Sequence, residues 1–186
     1  MKISFIAPPR GFEKLQDFHK KVYKEIERLG YQHTTDMAIR SAEEFYKQMN
    51  KGESAHQDFH NEMIKSIYSA DICVFEISIA SLGTGSLIDK ALDRNKPVVL
   101  LYSKDNIPYF LAGSVDDRIV RCEYTEKNWK KRFQECLEKS RERRDKRFNF
   151  FISPKLLDFL EKRSSDLGIT KSKYIRNLII DHMRDS

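Results

Sequence analysis

The stretch Ser69–Ser103, SADICVFEISIASLGTGSLIDKALDRNKPVVLLYS, decides the fold. Asp71–Ile77 (DICVFEI) is nearly continuous apolar, as a parallel strand buried on both faces should be. A glycine-bearing turn follows, and a helix is predicted from about Gly85 to Arg94. Lys96-Pro97 then leads into a second apolar run, VVLLYS. Strand, helix and strand of these lengths predict a right-handed βαβ unit in a doubly wound α/β sheet. A glycine-rich connection between a buried strand and a helix offers backbone N–H groups and the positive helix end to an anion. With the hydroxyls alongside, Ser81, Gly83, Thr84, Gly85 and Ser86 are candidate phosphate ligands.

Working outward, Ile3–Ala7 reads as a first strand ended by the loop Pro8-Pro9-Arg10-Gly11. Phe12, Leu15, Phe18, Val22, Ile26 and Leu29 recur at three- and four-residue steps and Gly30 follows, which predicts an amphipathic helix with its stop signal. Tyr31–Thr35 is a candidate second strand, and capping-box spacing at Ser41/Glu44 and Ser54/Gln57 predicts two further helix starts. Phe59, Met63, Ile64, Ile67 and Tyr68 share one face of the second of these helices. Trp129, Phe133, Cys136 and Leu137 mark the last helix of the α/β domain, placed at residues 1–137. Residues 138–146 read as a charged linker or helical extension, and residues 147–186 as a small second domain.

The chain has 186 residues, 40% of them apolar, enough for a core without disulfide staples. Cys73, Cys122 and Cys136 are widely spaced and suggest neither a disulfide framework nor a zinc knuckle, so a reducing cytoplasm is expected. No run is long and apolar enough to span a membrane, and none resembles a signal peptide. The net charge of +6 is uneven: Ser140–Ser186 holds 12 of the 34 basic residues but only 7 of the 28 acidic ones. A basic tail on a near-neutral body is the asymmetry expected of a chain whose end meets a polyanion.

In that tail Arg147, Asn149 and Phe151 alternate with Phe148, Phe150 and Ile152, a period-two strand with one apolar face. Ser153-Pro154 starts a helix whose buried side is predicted to be Leu156, Leu157, Phe159 and Leu160. Gly168 ends it, and Thr170 caps a second helix carrying Tyr174, Ile175, Leu178, Ile179 and Met183. Forty residues of this kind bury too little surface to stand alone, so a homodimer through this segment is expected, with higher oligomers open. The segment resembles the ribbon-helix-helix family of DNA-binding dimers. That resemblance implies Arg147, Asn149 and Phe151 facing the bases of double-stranded DNA, and Lys171, Ser172 and Lys173 gripping phosphate.

The segment Ala70–Ser103, together with Ile3–Gly11, resembles the nucleoside 2-deoxyribosyltransferase family, especially its deoxynucleoside 5′-monophosphate N-glycosidases. The shared features are the Ala70-Asp71 pair, the Ser81-Leu82-Gly83-Thr84-Gly85 turn, Lys96-Pro97 and Arg10-Gly11. The resemblance implies a Rossmann-like sheet, a nucleotide or nucleoside-like ligand, and phosphate binding at Ser81, Gly83 and Gly85 with Arg10 and Gly11 nearby. Its two catalytic carboxylates fall at Leu87 and Met63, which are apolar here. Glu76, Glu62 and Asp89 are the remaining candidate acids. Neither a metal nor a cofactor is expected: His56 and His60 share a helix face, but Gln57 stands where a zinc protease motif needs Glu.

Three readings follow. The first is a dimeric transcription regulator, a probable repressor, whose catalytically degenerate N-terminal domain senses a nucleotide. The second is an N-glycosidase or deoxyribosyltransferase with atypical acids. The third is an antitoxin or defence-system component that represses its own operon.

Overall fold

The computed structural model describes residues 1–114, 116–143 and 150–185. It divides into two units, Met1–Asp145 and Lys146–Ser186.

The first unit is built on five parallel strands: β1 Lys2–Ile6, β2 Gln32–His33, β3 Ile72–Glu76, β4 Val98–Ser103 and β5 Ile119–Tyr124, in the order β2-β1-β3-β4-β5. β3 is central and buried along its whole length, with Ser4 registered against Cys73 and Cys73 against Val98. That accounts for the continuous apolar run in its sequence, since both faces are covered. Between the strands run α1 Phe12–Arg28, α2 Ala42–Met49, α3 Glu53–Ser69, α4 Leu82–Asp93 and α5 Tyr109–Ala112, and α6 Trp129–Glu142 follows β5. α1 meets α6 on one face, where Gln134 donates to Glu25 and Phe18 packs edge-on to Trp129. α3 covers the other face, where the buried Ser4 and Ser66 hydroxyls share a hydrogen bond. Chain order therefore reverses between β1 and β3, and the carboxyl ends of those two strands open onto the crevice where ligands of doubly wound sheets bind.

The local signals explain most of these elements. Gly30, at φ +82°, ends α1 as its position promised. Ser41 and Glu44 form the complete capping box at the start of α2. α3 departs from expectation: it starts at Glu53 after Gly52, whose φ of +105° turns the chain, so Ser54 lies inside the helix and caps nothing. α4 also starts earlier than predicted. Ser81 is its extended N-cap, accepting from the Thr84 N–H, so both glycines lie in the first helical turn. β5 carries Arg121 and Glu123 among its apolar residues and was not readable as a strand. The charged run continues α6 through Glu142, with Ser140 buried.

The second unit holds α7 Pro154–Asp166 and α8 Lys171–Arg184. Ser153 and Thr170 stand at the two N-caps, and Thr170 accepts from the Lys173 N–H. The predicted strand is not seen where it can be judged: Phe150–Ile152 belong to no strand, while Arg147 and Asn149 lie outside the described residues. The side of α7 expected to be buried is mostly open within a single chain. Leu160 is buried, but Leu156, Leu157 and Phe159 are exposed, because two helices of this length have no third layer to close over them.

Candidate active site

The carboxyl ends of β1 and β3 carry the residues that the sequence singled out for anion binding. β1 runs into the short turn Pro9–Gly11, which leaves the Arg10 side chain exposed and Gly11 buried. β3 runs through Ile77–Ala80 into Ser81 and α4. Within the first turn of α4 the Thr84 N–H is taken by Ser81 Oγ at 3.4 Å and the Gly85 N–H by the Ser81 carbonyl. Helix geometry leaves the Leu82 and Gly83 amides without intrahelical acceptors. Thr84 is buried and Ser86 exposed. A Cβ added at Gly85 would meet nothing within 4 Å, and one at Gly83 only Ser81 Oγ at 3.8 Å. Neither glycine has positive φ. Glycine in a helix costs roughly 0.5–1 kcal/mol against alanine, and no contact or backbone angle inside the chain requires it here.

Beneath this edge lies Glu76, the last residue of β3 and fully buried. Its Oε1 accepts from the Ser78 N–H at 3.0 Å and faces the Tyr124 hydroxyl at 3.4 Å. Ser78 Oγ in turn accepts from the Ser103 N–H at 2.9 Å, which ties the loop to the end of β4. Tyr124 is stacked on Phe18 at 4.4 Å. Burial, and secondly the nearby Glu76 charge, push its phenol well above the usual range, so it remains a donor. Glu76 Oε2, by contrast, is buried with no hydrogen-bond partner. Leaving a buried polar atom unpaired costs about 1–3 kcal/mol, and more for a charged one. Ile79 lies so close to Gly11 that a Cβ added there would stand 3.2 Å from Ile79 Cδ1.

The other candidate acids are differently placed. Both Glu62 oxygens are held by the Arg40 guanidinium, which also binds Asp36, and the Thr35 hydroxyl donates to Glu62 as well. That carboxylate is paired and held in place. Asp89 is exposed on α4, two turns from the helix start. Met63 is buried in the core and Leu87 packs against it, so the positions that the resemblance assigns to catalytic acids form part of the hydrophobic interior. Cys73 and Tyr102 are also core. His56 and His60 border an open surface groove on α3, and among the described residues no cluster of three metal-ligating side chains occurs. A second surface cavity, of about 330 Å³, lies at the opposite edge of the sheet beside Asp117, Arg121 and Arg143.

Known proteins resemble this chain in sequence and in fold. The chain is 31% identical over 111 residues to a protein of Thermofilum pendens assigned the name 2'-deoxynucleoside 5'-phosphate N-hydrolase 1, an alignment spanning 58% of this chain and 71% of that protein. The chain belongs to the 2'-deoxynucleoside 5'-phosphate N-hydrolase family. The solved structure of the Clostridium botulinum CMP N-glycosidase BcmB superposes with a TM-score of 0.53 at 15% identity, covering 74% of this chain and 98% of that one. This second likeness is one of fold. No family model matches the sequence.

Membership of the N-hydrolase family overturns the reading of the chain as a DNA-binding regulator with a degenerate sensing domain, because the relative carries an enzyme's name. Arg147 and Asn149 are outside the described residues, Phe151 is fully exposed, and Ser172 is exposed beside Lys171, which pairs with Glu161. The Lys173 amide is taken by Thr170. No helix among the described residues is long and apolar enough to cross a membrane.

Of the three candidate acids named from the sequence, Glu76 is the one whose surroundings set it apart. Its signal was present: a lone acid closing an otherwise apolar, doubly buried strand. His19 was missed altogether. It stands one turn before Val22 on the buried face of α1, but its partner is 57 positions away.

Proposed function

We propose that the N-terminal unit is an N-glycosidase that hydrolyses the N-glycosidic bond of a 2'-deoxynucleoside 5'-phosphate, with Glu76 as the reacting carboxylate. The observation that carries this reading is the division of labour within Glu76: one oxygen is held by Ser78 and Tyr124, the other is buried and unpartnered at the ligand-binding edge of the sheet.

The 5′-phosphate would sit on the Leu82 and Gly83 amides and Ser81 Oγ, at the positive end of α4. Arg10 makes no hydrogen bond or ion pair to the described residues and would supply a countercharge from the β1 side. The two helical glycines support this pose, since a Cβ at either would stand where the phosphate approaches. Ile79 would swing away from Gly11 to let the sugar reach Glu76 Oε2. The C1′–N bond then breaks and its electron pair leaves with the base, which takes a proton from water. The carboxylate stabilises the oxocarbenium-like centre or bonds to C1′. Addition of the remaining hydroxide equivalent at C1′ yields 2-deoxyribose 5-phosphate and free base.

Purified protein incubated with the deoxynucleoside 5′-monophosphates should release free base, followed by chromatography, and Glu76→Gln should abolish the release. Undiminished release by Glu76→Gln refutes the assignment of the acid. Exchange of one base for another without net sugar phosphate would mark a transferase instead. The three free, buried cysteines support a cytoplasmic location.

A second reading concerns Lys146–Ser186. Leu178, Ile179 and Met183 of α8 are exposed together with Leu156, Leu157 and Phe159 of α7, more apolar surface than a two-helix unit can leave in water. This supports a ribbon-helix-helix-like unit that dimerises by covering that face with a second copy. Light scattering should give a dimer, and Ile179→Glu should give a monomer.

A further inference from the structure

One buried ionisable side chain next to the site has no assigned role. His19, in the second turn of α1, is fully buried, and neither of its ring nitrogens has a hydrogen-bond partner. Its Nε2 lies 3.7 Å from Glu76 Oε2, the unpartnered oxygen. Two polar groups that lack every other partner therefore face each other across a gap a few tenths of an ångström too long for a hydrogen bond.

Packing alone fixes the imidazole. Phe5 and Phe12 meet it edge-on, at 6.2 and 6.3 Å between ring centres. Gly11 closes the third side, where an added Cβ would stand 3.9 Å from His19 Cε1. A leucine would fill such a space, and the chain instead keeps a ring with two unused nitrogens. The other polar groups that face the pair are the Tyr124 hydroxyl and the Ser78 amide, both on the opposite carboxylate oxygen. Catalytic hydrogen bonds are often long before substrate binds and tighten in the complex.

We infer that His19 is the positioning residue of Glu76: its Nε2–H turns and holds the free carboxylate oxygen for attack when the crevice opens. The inference rests on the N-glycosidase reading for its effect on turnover, but the pairing itself can be tested without substrate.

The test uses the full chain with His19→Leu, His19→Gln, Glu76→Gln and the His19→Leu/Glu76→Gln double variant. His19→Leu should lower kcat for base release by about 10–100-fold, the usual effect of losing an orienting partner, with KM within about twofold and an unchanged or higher melting temperature. His19→Gln keeps an N–H donor and should recover most of that loss. In the double variant the shifts in melting temperature should be non-additive, because each single change already breaks the pair.

Unchanged kcat in His19→Leu, or a kcat loss that accompanies a fallen melting temperature and is not recovered by His19→Gln, overturns the inference. Additive thermal shifts overturn it as well. If the wild-type protein releases no base, the N-glycosidase reading fails by itself, and the thermal cycle still decides whether His19 and Glu76 act as a pair.

Discussion

Two carboxylates, Glu25 of α1 and Glu76 of β3, are almost wholly buried, and they have opposite surroundings. Glu25 receives the Arg28 guanidinium at 2.8 Å, the Gln134 amide at 2.6 Å and the Lys130 ammonium at 3.2 Å. The hydrogen bond from Arg28 chiefly, helped by Gln134 and Lys130 against the effect of burial, holds it down at about 2. Glu76 has one oxygen tied to its own loop and the other facing an imidazole just out of reach. The first arrangement is a staple joining α1 to α6. The second leaves a buried carboxylate oxygen without a hydrogen-bond partner. Burial is common to both, so burial does not identify a catalytic group. What sets Glu76 apart is incomplete satisfaction at the carboxyl end of β3.

The contrast can be broken at either end. The largest effect on stability is expected at the staple. Glu25→Ala removes hydrogen bonds to two cations and an amide, and should cost about 1.5–3 kcal/mol, as bonds to charged groups do. A urea titration measures it, and the rate of base release should stay within about twofold of wild type. The same staple sets an acid dependence. The folded-state value of Glu25 lies below its ordinary 4.5, so its contribution is complete above that pH and fades as pH falls towards 2. The urea midpoint of wild type should therefore drop over this window more steeply than that of Glu25→Ala.

Smaller and opposite in sign is the effect of filling the helix start. Gly85→Ala and Gly83→Ala meet open space or a distant Ser81 Oγ, so each should raise stability by roughly 0.5–1 kcal/mol. Each should also weaken nucleotide binding, read as a higher KM. A stabilised variant with unchanged KM would remove the phosphate from α4. Smallest is Gly11→Ala: the end of the Ile79 side chain can give by a few tenths of an ångström, so turnover should fall modestly with little change in melting temperature.

The parts of this comparison were unequally legible in the sequence. β3, α4 and β4 could be read because each signal is local: a nearly continuous apolar run, a glycine turn before a helix, and Lys96-Pro97 before the next strand. The residues proposed to face phosphate came with them, since Ser81, Gly83 and Gly85 are near neighbours in the chain. The candidate acids Glu76, Glu62 and Asp89 could be named from the sequence but not ranked, because Leu87 and Met63 stand where the resemblance puts the two carboxylates. The carboxylate that reaches the edge comes from the end of β3 instead, 11 positions before Leu87, and its environment is assembled from α1, β4 and β5. Such long-range placement leaves no periodicity or spacing to read. The C-terminal apolar faces were legible as faces, but which surface covers them is not written within one chain.

The most direct test of the account sets the two buried carboxylates side by side in one assay: free base released from deoxynucleoside 5′-monophosphates by wild type, Glu76→Gln and Glu25→Ala at matched folded concentration. The account predicts release by wild type, release within about twofold by Glu25→Ala, and a loss on the order of 100-fold or more in Glu76→Gln. Release by Glu76→Gln at the wild-type rate would contradict it.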